Sequence, residues 1–296
     1  MAKRRRRALT EEERAEKRVA ERELIETAIE QLRSSEGWQT WLRVRGHFHS
    51  YSFRNQVLIA FQHPGATRVA GFRRWLDLGY AVRKGERGIS ILAPCPPSKK
   101  KLRRWREAGA NPDDKPRTFF RLVKVFDRSQ VDPLPDFPGG VPDLEPPAIF
   151  QPIEGDGLAR FLLPLQAFAS SIGYSFVVEP TPPGVNGYCS PPEQKIAVHE
   201  VSHALLHVDN GEDDPKLRRD EEEVVVECVA SSICSSLGFD TSGFSVPYMA
   251  SWGNGQEIGR YGELIDRLAT RIEDALLPDH QAGDSSAESS PEPIAA

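Results

Sequence analysis

The sequence predicts an α+β fold divided into two domains. Helix-like and strand-like stretches are interspersed along 296 residues, a length that holds two domains of ordinary size. Charge is split along the chain: residues 1–130 carry 30 Lys+Arg and 15 Asp+Glu, whereas residues 131–296 carry 8 and 28. Between the halves, residues 132–152 are rich in proline and contain Gly139-Gly140, the composition of a linker. A basic half joined to an acidic half indicates a polyanion-binding domain followed by a domain with another task.

The elements follow in order. Residues 1–9 read as a disordered basic tail. Thr10 before Glu11, Glu12 and Glu13 starts a helix whose first-turn acids suit the helix dipole, running to about Arg33. A second helix carries Trp38, Trp41 and Leu42; a third begins near Ser52 and stops before Pro64. Phe72, Trp75 and Leu76 suit a short helix ending at Gly79. Tyr80–Val82, Gly88–Leu92 and Phe119–Phe126 read as strands, with Ser98–Arg117 as an exposed basic insertion. The first domain spans 10–131.

After the linker, a second domain spans 153–277. Its expected elements are a helix over Leu158–Ile172 closed by Gly173 and a strand over Tyr174–Glu179. Tyr188–Ser190 and Lys195–Val198 are expected to pair as a hairpin. Helices are expected over Lys216–Leu237 and Gln256–Leu277. Residues 278–296 have the composition of a disordered tail.

Four cysteines show no zinc-ribbon or redox spacing and read as free thiols of a reducing compartment. No stretch approaches the ~20 apolar residues of a membrane span, and a charged helical pattern follows Lys3–Arg7 where a secretory signal needs an apolar run. A cytoplasmic location is expected, with no membrane partner.

The most specific motif is His199-Glu200-Val201-Ser202-His203. On a helix this spacing puts two imidazoles one turn apart on one face, able to reach one Zn²⁺, with Glu200 beside them as a base. Val201, Ala204, Leu205 and Val208 form an apolar stripe opposite the histidines. A third ligand is expected from the Lys216–Leu237 helix. Glu227, set among Val226, Cys228, Val229 and Ala230, is the favoured acid, because a carboxylate there must be paired or coordinated. Glu223, one turn earlier, is the alternative. His207 reads as a surface or outer residue, and Tyr248 and Tyr261 as unsupported oxyanion donors. The reaction class implied is hydrolysis of a peptide or amide, hence a protein substrate.

In the first domain, Arg54, Arg68, Arg73, Arg74, Arg83, Lys84 and Arg87 alternate with Phe53, Phe72, Trp75 and Tyr80. Such interleaving suits single-stranded nucleic acid, where cations follow phosphates and rings stack on unpaired bases. Arg54, Asn55, Arg73, Arg74, Trp75, Lys84 and Arg87 are the candidate contacts. Lys99–Lys101, Arg103, Arg104 and Arg106 form a second basic cluster.

These residues carry a resemblance. Tyr51-Ser52, Asn55, Val69-Ala70-Gly71-Phe72, Trp75, Leu78-Gly79, Lys84-Gly85-Glu86, Ile89–Pro94 and Phe126-Asp127 resemble the N-terminal domain of ArdC-type plasmid antirestriction proteins. The resemblance implies single-stranded DNA binding. His199–His207, Glu227 with Val229-Ala230, Leu237-Gly238 and Ser245–Trp252 resemble the zincin-like metallopeptidase domain of the same proteins, akin to the IrrE/ImmA peptidases. Here the expected strand Lys195–Val198 abuts His199, which would put both histidines in the first turn of their helix. Relatives also carry an acid where this chain has Val225. Three readings follow: an ArdC-like single-strand-binding protein with an appended zincin-like domain, a zinc peptidase acting on a regulatory protein, and a degenerate zincin kept as scaffold.

Overall fold

A capping box opens the first helix, the Thr10 hydroxyl accepting from the Glu13 amide at 3.2 Å while the Glu13 carboxylate accepts from the Thr10 amide at 2.7 Å. The computed structural model describes residues 10–95, 97, 99–107, 109, 119–144, 151–152, 159–175, 193–209, 214–240 and 255–277. They form helices α1 (Glu11–Glu30), α2 (Ser35–His47), α3 (Phe53–Gln62), α4 (Phe72–Asp77), α5 (Lys99–Glu107), α6 (Leu162–Ser171), α7 (Glu193–Val208), α8 (Arg219–Ser236) and α9 (Gly255–Leu276). The strands are β1 (Val69–Gly71), β2 (Tyr80–Val82), β3 (Ile89–Cys95), β4 (Phe119–Asp127), β5 (Val131–Pro133), β6 (Gln151–Pro152) and β7 (Phe239–Asp240). The expected mixture of helix and sheet is present. The expected strand over Tyr174–Glu179 has no counterpart at Tyr174 and Ser175, and its remainder lies outside the described residues. Residues 1–9, Tyr188–Ser190, Tyr248–Trp252 and 278–296 also lie outside them.

The chain divides into two compact units, Met1–Leu24 with Val69–Asp143 and Asp284–Ala296, and Ile25–Arg68 with Leu144–Gly283. The units are discontinuous in sequence, unlike the contiguous 10–131 and 153–277 read above. The reason is long-range packing: α2 lies on α8, and α3 on α9. The apolar faces of α2 and α3, with Trp38, Trp41, Val57, Leu58 and Ile59 all buried, are therefore covered by residues from the other end of the chain. Nothing local in the sequence announces that partner.

In the first unit, β1, β4 and β3 form an antiparallel sheet in that order, and β2 pairs antiparallel with β5. Strand alternation turns Ile89, Ile91, Ala93 and Val125 to the buried face. Trp75 of α4 is fully buried, meets Tyr80 edge-on at 5.6 Å, and donates its indole N–H to the Phe126 carbonyl at 2.8 Å.

In the second unit, α8 packs on α2, α7 and α9, and α6 packs on α7 and α9. Its centre is α8, whose Val225, Val226, Cys228, Val229, Ala230, Ile233 and Cys234 are all buried. Gly238 ends α8 in the left-handed region at φ +87°, as expected of the residue after a helix. Beneath this apolar layer sits a buried ionic cluster. The Arg45 guanidinium of α2 is wholly enclosed and donates to Asp266 at 3.0 Å and to both Glu273 oxygens at 2.7 and 2.9 Å. Gln56 of α3 adds a bond to Asp266 at 2.9 Å, and Ser236 of α8 one to Glu273 at 2.5 Å. A buried charge this well bonded ties α2, α3, α8 and α9 into one frame. The three described cysteines are thiols outside any disulfide, Cys228 and Cys234 buried and Cys95 half-buried.

Candidate functional site

Two helices of the second unit build the site. α7 begins at Glu193, six residues before His199, so residues 195–198 are helical and the expected strand there is absent. The apolar run around Ile196 to Val198 suits either state, and the helix extends back through it. His199 and His203 consequently stand inside the helix rather than in a frayed first turn. Val201, Ala204 and Leu205 are buried as expected, while Val208 at the helix end is exposed. The Ser202 hydroxyl, fully buried, donates back to the Val198 carbonyl at 2.7 Å. Beyond α7, Arg267 and Arg271 of α9 hold the following acidic residues, Arg267 at 2.9 Å from Asp214 and Arg271 at 2.9 Å from Asp209. That clamp fixes where α7 ends.

α8 supplies the acids. Glu221 accepts from the Arg218 amide at 2.8 Å and is engaged in capping the helix. One Glu223 oxygen lies 3.6 Å from His199 Nε2 and 3.4 Å from His203 Nε2. The three ligand atoms, one each from His199, His203 and Glu223, all lie within 4.8 Å of one another. Bonds of 2.0–2.1 Å to a tetrahedral ion separate ligand atoms by about 3.3 Å, so the two acid–imidazole edges are already near bonding separation. The donor set, two imidazole nitrogens and a carboxylate oxygen, suits a borderline divalent cation.

Glu227, the favoured third ligand from the sequence, takes a different place. Its oxygen lies 3.2 Å from His199 Nδ1, across the ring from the Glu223 contact. The contact matches the outer carboxylate that commonly orients a metal-binding histidine. It also raises the His199 pKa above its ordinary 6.5: the hydrogen bond to Glu227 is the largest cause, opposed by burial and aided by the charges of Glu227, Glu200 and Glu223. Glu200 is exposed on the turn that carries His199, and His207 is exposed one turn past His203. Tyr248 lies outside the described residues.

The nucleic-acid candidates are dispersed. Arg73 and Arg74 of α4, and Lys84 and Arg87 between β2 and β3, are exposed in the first unit. Trp75 is buried with its indole N–H engaged, so it is a core residue with no face to offer a base. Arg54 and Asn55 belong to the second unit, Arg54 exposed and paired with Glu263 at 3.0 Å, Asn55 buried. Arg83 is bound to Glu86, Asp132 and the Ser129 carbonyl. The second basic cluster forms helix α5, on which Arg103, Arg104 and Arg106 are exposed.

Fold and site together define a mixed helix-and-sheet protein with a basic first unit and a His/His/Glu cluster in the second. Residues 14–126 match the family model described as the N-terminal domain of anti-restriction factor ArdC. An uncharacterised protein of Bacillus anthracis is 26% identical over 266 residues, covering 75% of this chain and 44% of that protein. This chain thus spans less than half the length of that relative. Among solved structures, the metal-free antirestriction ArdC protein from plasmid R388 is similar at 19% identity and TM-score 0.44, covering 78% of this chain and 85% of that one. Its Mn(II)-bound form gives 20% and 0.41, covering 79% and 86%. The chemistry of the site rests on its own geometry. Among the described residues no helix is long and apolar enough to cross a membrane.

Proposed function

We propose that this chain is an ArdC-like protein that binds single-stranded DNA through its basic first unit and carries a zincin-type, divalent-metal-dependent peptidase centre. The observation that carries the second half is the position of Glu223, whose one oxygen approaches both Nε2 atoms while Glu227 occupies His199 Nδ1. In this reading His199, His203 and Glu223 hold a zinc or similar ion, and Glu227 fixes the tautomer that turns the His199 Nε2 lone pair inward. The ion, when bound, supplies a Lewis acid for a substrate carbonyl and for water. Glu200 takes the proton of the attacking water and returns it to the leaving amine. The exposure of Glu200 leaves room for an extended peptide, and a protein segment is the substrate class proposed.

The binding half is supported by the excess of Lys and Arg over Asp and Glu in residues 69–130 and by the exposure of Arg73, Arg74, Lys84, Arg87 and the α5 arginines. Two measurements test the whole. Elemental analysis is expected to give one divalent ion per chain in the wild type and none in His203→Ala; no ion in the wild type refutes the metal centre. Fluorescence anisotropy with a single strand is expected to show affinity falling steeply with salt, and the slope to flatten by about 2 when Arg73, Arg74 and Lys84 are neutralised, at ~0.7 per phosphate contact. An unchanged slope refutes the assignment of those cations.

A further inference from the structure

We infer that the exposed face of the β1-β4-β3 sheet is a stacking platform for unpaired bases, with Phe72 and Phe120 as its rings and Lys124 between them. The inference rests on the single-strand reading above and names the surface that performs it. Alternation along β4 puts Phe120, Leu122, Lys124 and Phe126 on one face, opposite the buried Val125. Across the register Lys124 stands beside Ser90, Leu122 beside Leu92 and Phe120 beside Pro94. Phe72, at the end of β1, joins this face through an edge-on contact with Phe126 at 6.5 Å. Phe72 is 51% exposed and Phe120 65%, unusual for phenylalanine, whose ring is ordinarily in the core.

The occupant is argued from charge. Lys124 is held on the sheet by bonds to the Gly88 carbonyl at 2.9 Å and the Ser90 hydroxyl at 2.6 Å. A lysine at the middle of an apolar face is what protein–protein interfaces avoid at their centres. A phosphate chain passing over the face instead gains from it. The two ends continue the charge: exposed Arg73 and Arg74 follow Phe72, and β3 leads from Cys95 to the basic helix α5 starting at Lys99. Phe120 and Phe126 of β4, six rises apart, are separated by about 20 Å at the ~3.3 Å rise of a strand. That length accommodates about six nucleotides at the ~3.4 Å spacing of stacked bases. The rings are phenylalanines, which stack on any base and read none, so binding is indifferent to sequence.

The experiment compares the full chain with Phe72→Ala, Phe120→Ala and, as a control on an exposed apolar residue elsewhere, Leu163→Ala. Anisotropy is read with labelled oligothymidylate of about 12 nucleotides and with an abasic phosphate chain of equal length. Each Phe→Ala is expected to lose roughly tenfold in affinity for the thymidylate, about 1.4 kcal/mol. Affinity for the abasic chain, and the salt slope for either, should stay as in the wild type, and Leu163→Ala should match the wild type throughout. If the wild type prefers the base-bearing strand and both variants keep that preference, the platform is wrong while single-strand binding stands. Wild-type protein binding neither oligonucleotide sinks both. A wild-type dimer that either substitution turns into a monomer at unchanged thymidylate affinity makes the face a contact between copies and overturns the inference.

Discussion

Exchanging Glu227 for glutamine tests the division of labour between the two acids of α8. The substitution keeps the volume and removes the charge that faces His199 Nδ1 at 3.2 Å. A hydrogen bond with a charged partner contributes about 1.5–3 kcal/mol, and this one lies near the low end because both side chains keep about a quarter of their surface in solvent, 22% and 26%. Loss of an outer carboxylate of this kind typically weakens metal affinity about 10–100-fold, or about 1.4–2.7 kcal/mol, so the two routes agree. Glu223→Gln removes a ligand charge and is expected to weaken binding further, toward that of two imidazoles alone. The assay is competition for zinc against a chromophoric chelator at fixed pH, each variant beside the wild type. Loss of binding in Glu227→Gln with near-wild-type affinity in Glu223→Gln would reverse the roles and refute the reasoning.

Three further outcomes are expected. Arg45→Ala strands two enclosed carboxylates and should cost about 3–5 kcal/mol, lowering the melting temperature of the second unit by about 6–20 °C in calorimetry. In the intact protein burial pushes the Glu273 carboxyl up and Arg45 pulls it further down, to a net position below its ordinary 4.5, so its stabilisation is present above that pH and lost as pH falls. Without Arg45 burial, the largest influence on Glu273, is opposed mainly by the bond from Ser236, so the deficit of the variant should shrink as pH falls from about 7 toward 4; a deficit that grows contradicts the assignment. Gly262→Ala places a methyl 2.2 Å from the Phe53 ring, and crowding at the α3–α9 contact should outweigh the helix propensity gained, for a net loss of about 1–3 kcal/mol by urea unfolding. Trp75→Phe leaves the Phe126 carbonyl without its indole donor and should lose about 1–3 kcal/mol of stability with single-strand affinity unchanged, measured on the same preparation.

Local features were legible in the sequence and distant ones were not. The spacing of His199 and His203 is a property of one helix, so it survives any arrangement of the rest. The sequence put both acids on one helix and marked Glu227 as the more enclosed, and Glu227 is the less exposed of the two. Enclosure alone does not make an acid a ligand. An acid among apolar neighbours must be hydrogen-bonded, and Glu227 meets that need at His199 Nδ1. Glu223, whose one oxygen approaches both Nε2 atoms, stands at the rim and is 54% exposed. The aromatics went astray for a related reason. Trp75 and Phe72 lie on the same short helix three residues apart, and only the sheet beneath them decides that the indole is inside and the phenyl outside. Phe120 drew no notice because a strand pattern does not say which face is covered. Arg45 drew none either, since its partners Asp266 and Glu273 lie on the last helix.

Packing within the discontinuous second unit also governs the His199, His203 and Glu223 cluster. α8 carries its acids, Asp220, Glu221, Glu222, Glu223 and Glu227, in its first half and a continuous buried run, Cys228–Cys234, in its second. The first half can present carboxylates to α7 only if the second is held, because a helix pivots as a rigid rod about its packed end. Apolar contact with α2 and α9 sets the separation, but such contact is non-directional and fixes rotation about the helix axis weakly. Rotation is what decides whether Glu223 or Glu227 faces the imidazoles. The bonds that Glu273 accepts from Ser236 and from Arg45 pin that rotation, since hydrogen bonds to a buried charge tolerate little misalignment. α2 belongs to the sequence matched by the ArdC N-terminal model yet packs on α8. The segment matched by the ArdC N-terminal model thus supplies part of the scaffold that aims the carboxylates of the other end of the chain.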